Sequence, residues 1–249
     1  MSRKPADAPR ELLLLKLLPN LVSILALCSG LTAIRYGVAG NFTLAVMLIG
    51  VAAALDGLDG RLARMLKSES AIGAELDSLC DFVNFGVTPA IVLYLWGLQG
   101  EAGLGWIAVL VYAVCCMLRL ARFNVGSRAV GEAAEKTSFI GVPSPAGAML
   151  AMVPIYLTFA FDQSFALPPL LIAMWMVAIG VLMISRVRTP SMKRLTISAD
   201  HARHALVGAV VVVAALVTYL WVTLLALSLA YLAAVGWLFL RSVKAEPKA

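Results

Sequence analysis

Four aspartates stand at fixed intervals in otherwise apolar sequence: Asp56 and Asp59, three apart, then Asp77 and Asp81, four apart. A carboxylate at the centre of a membrane helix costs about 2.5–3.5 kcal/mol on insertion scales. Packing a helix bundle does not require that cost, so chemistry is the reason to look for. On a helix advancing about 100° per residue, Asp59, Gly60 and Ala63 fall within about 60° of Asp56, with Arg64 at the flank of the same face. Gly73, Asp77 and Asp81 follow at i, i+4 and i+8 of the next helix, and Asn84 and Thr88 continue their stripe. Carboxylates converging in a low dielectric repel one another and take up protons. A divalent cation relieves that repulsion. Oxygen ligands without His or Cys point to Mg²⁺, Mn²⁺ or Ca²⁺ rather than zinc. One or two such ions suit four carboxylates, and a pair of ions can neutralise phosphates during in-line displacement. Gly60, Ala63 and Gly73 remove side chains where a bulky polar ligand would approach the backbone. The residues describe a site for a phosphate-bearing substrate. A buried network of the acids with Arg61, Arg64 and Lys67 is the competing explanation. Four acids and three small residues on two facing helices form a more demanding pattern, which favours the metal.

The elements that must carry these residues are membrane helices. Of the 249 residues, 61% are hydrophobic, against about 45–50% in soluble domains. The mean hydropathy is +0.92, and the apolar residues come in blocks of about 20, the length that crosses a bilayer as helix. Eight spans are expected, over roughly residues 17–36, 42–62, 73–97, 103–122, 143–161, 167–185, 203–220 and 222–240, each near the length a bilayer requires. The last two split one long apolar run, with Tyr219 and Trp221 marking the turn at the membrane surface. Lys16 interrupts the first apolar run and no small-residue cleavage site follows, so the start reads as mature sequence, with a short surface helix over 9–17. The fold class is an all-α, polytopic transmembrane helix bundle. Residues 1–249 form one integral-membrane catalytic domain, with 1–16 a cytoplasmic or interfacial segment and 241–249 a cytoplasmic tail.

The 20 Lys and Arg outnumber the 14 Asp and Glu. They sit in short connections, so orientation and anionic lipid explain them and nucleic acid does not. With eight spans, nineteen of the twenty fall on one side and Arg35 alone on the other. The excess places both termini, and the acid-bearing half of spans 2 and 3, toward the cytoplasm of a cell (inner) membrane. Cys28, Cys80, Cys115 and Cys116 have neither zinc-site spacing nor a disulfide pattern and read as small apolar fillers.

The run Asp56-x₂-Asp59-Gly60-x₂-Ala63-Arg64-x₈-Gly73-x₃-Asp77-x₃-Asp81 resembles the motif of the CDP-alcohol phosphatidyltransferases at every position. The phosphatidylserine synthase branch is similar outside it, at Pro19-Asn20, Leu118 to Asn124, Phe139 to Pro145 and Ser185 to Lys193. The resemblance implies a six-helix catalytic core, often in a homodimer. It implies transfer of a phosphatidyl group from CDP-diacylglycerol to an alcohol, here L-serine, with release of CMP. By that likeness Asp56, Asp59, Asp77 and Asp81 bind one or two ions, Mg²⁺ or Mn²⁺, and Asp81 also takes the proton of the attacking hydroxyl as general base. Asn20, Gly60, Ala63, Arg64 and Gly73 would border the CDP-lipid. Such catalysis works by positioning and charge neutralisation.

Other residues are weighed beside these. Arg119 and Arg122 share a helix face and suit a serine carboxylate or a lipid phosphate, or serve only as cytoplasmic snorkelling residues. Asn124 is a weaker candidate for the acceptor. Arg186, Arg188, Lys193 and Arg194 form a basic cluster suited to anionic lipid. His201 and His204 have no partners for a metal site. Gly141 to Pro145 breaks the chain before the fifth span. Rival functions are a sibling enzyme using choline, glycerol phosphate or an inositol phosphate, and a divalent cation transporter. A choline site would want an aromatic cage, which the sequence lacks near the acids. A transporter would place its acids at the midplane between repeated halves, and no repeat is present.

Overall fold

The computed structural model describes residues 10–66, 68, 70–129, 138–161, 167–185, 188–190 and 199–245. They fall into two compact units, Met1–Leu95 and Trp96–Ala249.

In the first unit, α1 (Arg10–Val38) is one helix of 29 residues. The separate surface helix expected over 9–17 is absorbed into it from Arg10 onward, because the Leu-rich stretch before Pro19 holds no helix breaker. Gly40, at φ 75°, turns the chain. Asn41 then caps α2 (Phe42–Met65), its side chain accepting the Leu44 N–H at 3.1 Å. Ser70 caps α3 (Ala71–Asp81) in the same way, accepting the Gly73 N–H at 3.0 Å. Past Asp81 the chain stays helical but widens into a π turn, Phe82–Val87, followed by α4 (Thr88–Leu93), and a second π turn, Tyr94–Leu98, begins in this unit and ends in the next. Pro89 has no N–H to give, so the ordinary ladder cannot run through this point. The helices α1 and α2 pack along each other. Small buried residues such as Ala26, Ala33, Ala45 and Ala52 allow the close approach.

One contact in this unit depends on the absence of a side chain. A Cβ on Gly30 of α1 would lie 2.1 Å from Asn84 Oδ1, and Asn84 is itself only 1% exposed. Thr88 Oγ1 donates to the Gly30 carbonyl at 3.4 Å. The Gly30→Ala variant is expected to lose about 1–3 kcal/mol through overpacking, read as a lower Tm of the detergent-purified protein. An unchanged Tm would mean that Asn84 swings aside freely.

The second unit holds α5 (Ala102–Ala129), β1 (Ser138–Ile140), α6 (Ser144–Ala151), α7 (Val153–Ala160), α8 (Pro169–Ile184), β2 (Arg188–Pro190), α9 (Ala199–Thr218) and α10 (Leu220–Ala245). The stretch expected as one span over 143–161 is broken at Met152, just before Pro154. The break between α9 and α10 falls at Tyr219. Trp221 stacks on Phe159 of α7 with ring centroids 4.6 Å apart, which fixes the start of α10. Gly180 lets α8 approach α5, since a Cβ there would meet Tyr112 Cα and Cys115 Cβ at 3.3 Å. The one departure from all-helix among the described residues is a short antiparallel ribbon, with Phe139 opposite Thr189. Its two strands lie in the connections after α5 and α8. Gly141, at φ 84°, follows directly, and a Cβ there would lie 2.4 Å from the Met183 carbonyl.

Among the described residues, five helical segments are long and apolar enough to cross a membrane: Leu17–Val38, Phe42–Met65, Ala71–Leu98, Gly103–Gly126 and Leu220–Trp237. Pro169–Ile184 and Val207–Thr218 are shorter apolar helices. Large apolar side chains are exposed along these segments, for example Leu25, Ile107, Leu171 and Val211. That is the pattern of a multi-pass membrane protein, whose outer faces meet lipid and whose backbone groups are satisfied within helices. Cys28 is on such an outer face, exposed, whereas Cys80, Cys115 and Cys116 are buried fillers, and none of the four is in a disulfide.

Candidate active site

The site lies within the first unit. A short connection between α2 and α3 brings the acidic face of one helix to that of the other. One ligand oxygen from each of Asp56, Asp59 and Asp77 lies within 4.8 Å of the others. Asp59 is the most enclosed of the three, 4% exposed. Its Oδ2 accepts the hydroxyl of Ser23 from α1 at 2.5 Å. Its Oδ1 is buried and has no hydrogen-bond partner within the protein. A buried carboxylate oxygen left without a donor is costly. Three carboxylates held this close, one of them with an orphaned buried oxygen and none ion-paired among the described residues, ask for a bound cation. Arg64, at the flank of the same face of α2, turns its Nε back to the Gly60 carbonyl at 2.9 Å. Hard oxygen donors of this kind fit a divalent cation of the Mg²⁺, Mn²⁺ or Ca²⁺ type, so the residues present fit the metal that the motif implies.

Beside the acids is a cavity of about 330 Å³, within the usual size of small-molecule sites. Asn20, Asp59, Gly60, Ala63, Gly73 and Asp77 all line it, so most of the residues expected at the CDP-lipid are here. A Cβ on Gly60 would meet nothing within 4 Å. The bare backbone at Gly60 therefore faces open space where a ligand can come close. Gly73 is different: a Cβ there would lie 3.0 Å from Asn20 Oδ1 and 3.1 Å from Ser70 Oγ. Its lack of a side chain lets the start of α3 sit against α1. Asp56 and Arg64 are not part of the cavity wall.

Asp81 lies one turn beyond Asp77, at the last residue of α3, and is not in the close trio. Its Oδ1 is buried. The π turn begins at the next residue, and such turns are frequent at functional sites. Arg119, Arg122 and Asn124 belong to α5 in the second unit. Arg119 donates through Nη1 to the hydroxyl of Ser144 at the first turn of α6, and Ser144 is fully buried. Arg122 is exposed. Of the basic cluster, Arg186, Lys193 and Arg194 lie outside the described residues.

Spacing alone missed Ser23, Ser68 and Ser70, all of which line the cavity. For Ser23 a signal existed: it stands three residues after Asn20, hence on the same face of α1. For Ser68 and Ser70 none did beyond the helix-capping position of Ser70.

Comparison with known proteins agrees with this geometry. Residues 16–185 match the CDP-alcohol phosphatidyltransferase family, and the chain belongs to that family. A CDP-diacylglycerol–serine O-phosphatidyltransferase of Mycobacterium tuberculosis is 38% identical over 217 residues, covering 85% of this chain and 76% of the relative. Proteins of the same name from Helicobacter pylori and Bacillus subtilis are each 33% identical. The first match covers 73% of this chain and 75% of the relative, the second 71% and 92%.

Proposed function

We propose that this chain is a phospholipid-synthesising enzyme that moves the phosphatidyl group of CDP-diacylglycerol to the hydroxyl of L-serine, giving phosphatidylserine and CMP. The observation that carries the reading is the trio of carboxylates on α2 and α3, with one oxygen of each within 4.8 Å, at a cavity whose wall includes bare glycine backbone. The names of the relatives supply serine as the acceptor.

In chemical terms, a bond forms from the serine hydroxyl oxygen to the phosphorus bearing diacylglycerol, and the bond from that phosphorus to the CMP oxygen breaks. A bound Mg²⁺ or Mn²⁺ would supply charge neutralisation at the diphosphate. The chain's own part is to place the reactants and hold the proton. Asp56, Asp59 and Asp77 would hold the first metal ion, and Asp81, the fourth carboxylate on the same stripe, would serve a second. Asn20, Gly60, Ala63 and Gly73 border the nucleotide diphosphate, with Arg64 at the edge. Asp81 takes the proton of the attacking hydroxyl, which is a weak nucleophile until that proton is drawn off. On α5, Arg119, which Ser144 holds, Arg122 and Asn124 are the candidates for binding the serine carboxylate or a phosphate.

We further read residues 1–249 as one integral-membrane catalytic domain of eight crossings in the inner membrane, acting as a homodimer. The one-sided placement of the basic residues supports cytoplasmic termini and a cytoplasmic active site. The dimer rests on the family resemblance.

The test is CMP release from CDP-diacylglycerol by the purified protein, with and without L-serine. Release is expected to require serine, to stop when the protein is stripped with a chelator, and to return with added Mn²⁺ or Mg²⁺. Release that ignores serine but responds to glycerol phosphate or choline would overturn the acceptor. Full activity after rigorous chelation would overturn the metal.

A further inference from the structure

The geometry points to Ser23 as a positioning residue that holds Asp59 as a one-oxygen ligand and so biases the site toward Mg²⁺ or Mn²⁺ over Ca²⁺. The inference rests on the reading of Asp56, Asp59 and Asp77 as a metal site and adds a residue outside the family motif.

A carboxylate offers a cation two oxygens. Ca²⁺ accepts six to eight oxygens in flexible geometry and readily takes both from one carboxylate, whereas Mg²⁺ demands near-octahedral geometry with single oxygens at about 2.0–2.1 Å. Mn²⁺ shares the octahedral oxygen preference. In this protein the two oxygens of Asp59 are not equivalent. Oδ2 is engaged by the Ser23 hydroxyl at 2.5 Å, and Oδ1 is the buried one left for a ligand. Ser23 and Asp59 are each 4% exposed, so the bond is largely shielded from bulk solvent. To present both oxygens, Asp59 would have to share the lone pairs of Oδ2 between the ion and the Ser23 hydroxyl, which weakens that hydrogen bond and favours the hydroxyl's alternative on its own helix.

That fallback exists. Ser23 Oγ also lies 3.2 Å from the Pro19 carbonyl, the usual back-bond of a serine in a membrane helix. A hydroxyl has one proton, and the shorter contact, to the carboxylate, is the stronger. Asn20, one turn earlier on the same face, approaches Gly73 of α3. The polar edge of α1 thus touches both acid-bearing helices, reaching α2 through Ser23 and α3 through Asn20. It holds the carboxylate from behind while the metal-facing side stays clear. Partners of this kind orient ligands and commonly change metal affinity when removed.

The test measures metal binding without lipid, by titration calorimetry of Mn²⁺ and of Ca²⁺ into the full-length, chelator-stripped protein in detergent. Ser23→Ala is expected to weaken Mn²⁺ by about 10-fold and Ca²⁺ by no more than about twofold, and Ser23→Thr, which keeps the hydroxyl, to stay within about threefold of the parent for both. Asp77→Ala serves as the reference for loss of a ligand. If Asp77→Ala loses Mn²⁺ while Ser23→Ala leaves both affinities unchanged, the role of Ser23 is wrong and the metal site stands. If Asp77→Ala binds Mn²⁺ as the parent does, the metal site itself is wrong. Equal weakening of both ions in Ser23→Ala, with no recovery in Ser23→Thr, would mean general loosening and would also overturn the proposal. Should Ser23→Ala fail to elute as the parent does, Ser23→Cys replaces it, a similar volume with a weak donor. A lowered preference for Mn²⁺ in Cys but not in Thr then supports the lock, and equal preference in both refutes it.

Discussion

An Asp59→Asn variant should lose more than about 100-fold in kcat/KM for serine-dependent CMP release, because removing a ligand ought to exceed the 10–100-fold typical of its outer partners. The argument is one of orientation as well as charge. Ser23 donates to one oxygen of residue 59, so an asparagine in its place keeps its carbonyl oxygen there. The amide NH₂ then occupies the position of Oδ1, and two donors face where a cation must bind. Those donors then belong to a cluster in which one oxygen from each of Asp56, Asp59 and Asp77 lies within 4.8 Å of the others in the parent. Replacing one of three clustered carboxylates also removes repulsion. The metal-free variant is therefore expected to melt no lower than the metal-free parent while losing the rise in Tm that Mn²⁺ gives the parent. The check is a pair of melting curves beside the activity assay. A variant that is inactive only because it unfolds would show a lower metal-free Tm and refute the reasoning.

Asp81→Asn should behave differently. Loss of a general base costs about 10²–10⁴ in rate, and that loss is expected in kcat, with CDP-diacylglycerol still bound. Asp81 stands outside the close trio, so Mn²⁺ binding should survive within about 10-fold, less than the loss of a ligand would bring. The measurements are single-turnover rate, CDP-lipid binding and Mn²⁺ titration on the same preparation. Full turnover would remove Asp81 as the base. Lost Mn²⁺ binding would make it a metal ligand first and a base second.

The acid stripes were legible because helical spacing is arithmetic: residues at i, i+3 and i+4 share a face whatever surrounds them, and Asp56, Asp59 and Asp77 do converge. The break at Tyr219 was legible because an apolar run longer than a bilayer needs is expected to be interrupted, and aromatic residues favour the interface. Three features were not. The bond from Ser23 to Asp59 joins residues 36 apart, and no local period reports a contact between two helices. The widened turn after Asp81 depends on how the ladder accommodates Pro89, and proline signals a break without saying whether it becomes a kink, as before Pro154, or a bulge. The ribbon of β1 and β2 pairs two loops distant in sequence, and each strand of three residues is too short to show alternation.

The wide turn at Phe82–Val87 also has a consequence for how this chain tolerates change in length. A π turn carries one residue more than an α ladder would use. Losing one residue inside it converts it to an ordinary turn, and the apolar stretch from Thr88 onward keeps nearly its rotational phase while Asp77 and Asp81 stay where they are. Losing one residue between Asp77 and Asp81 instead swings one acid about 100° away from the other. The third rod thus has slack built in just past its chemistry and none within it.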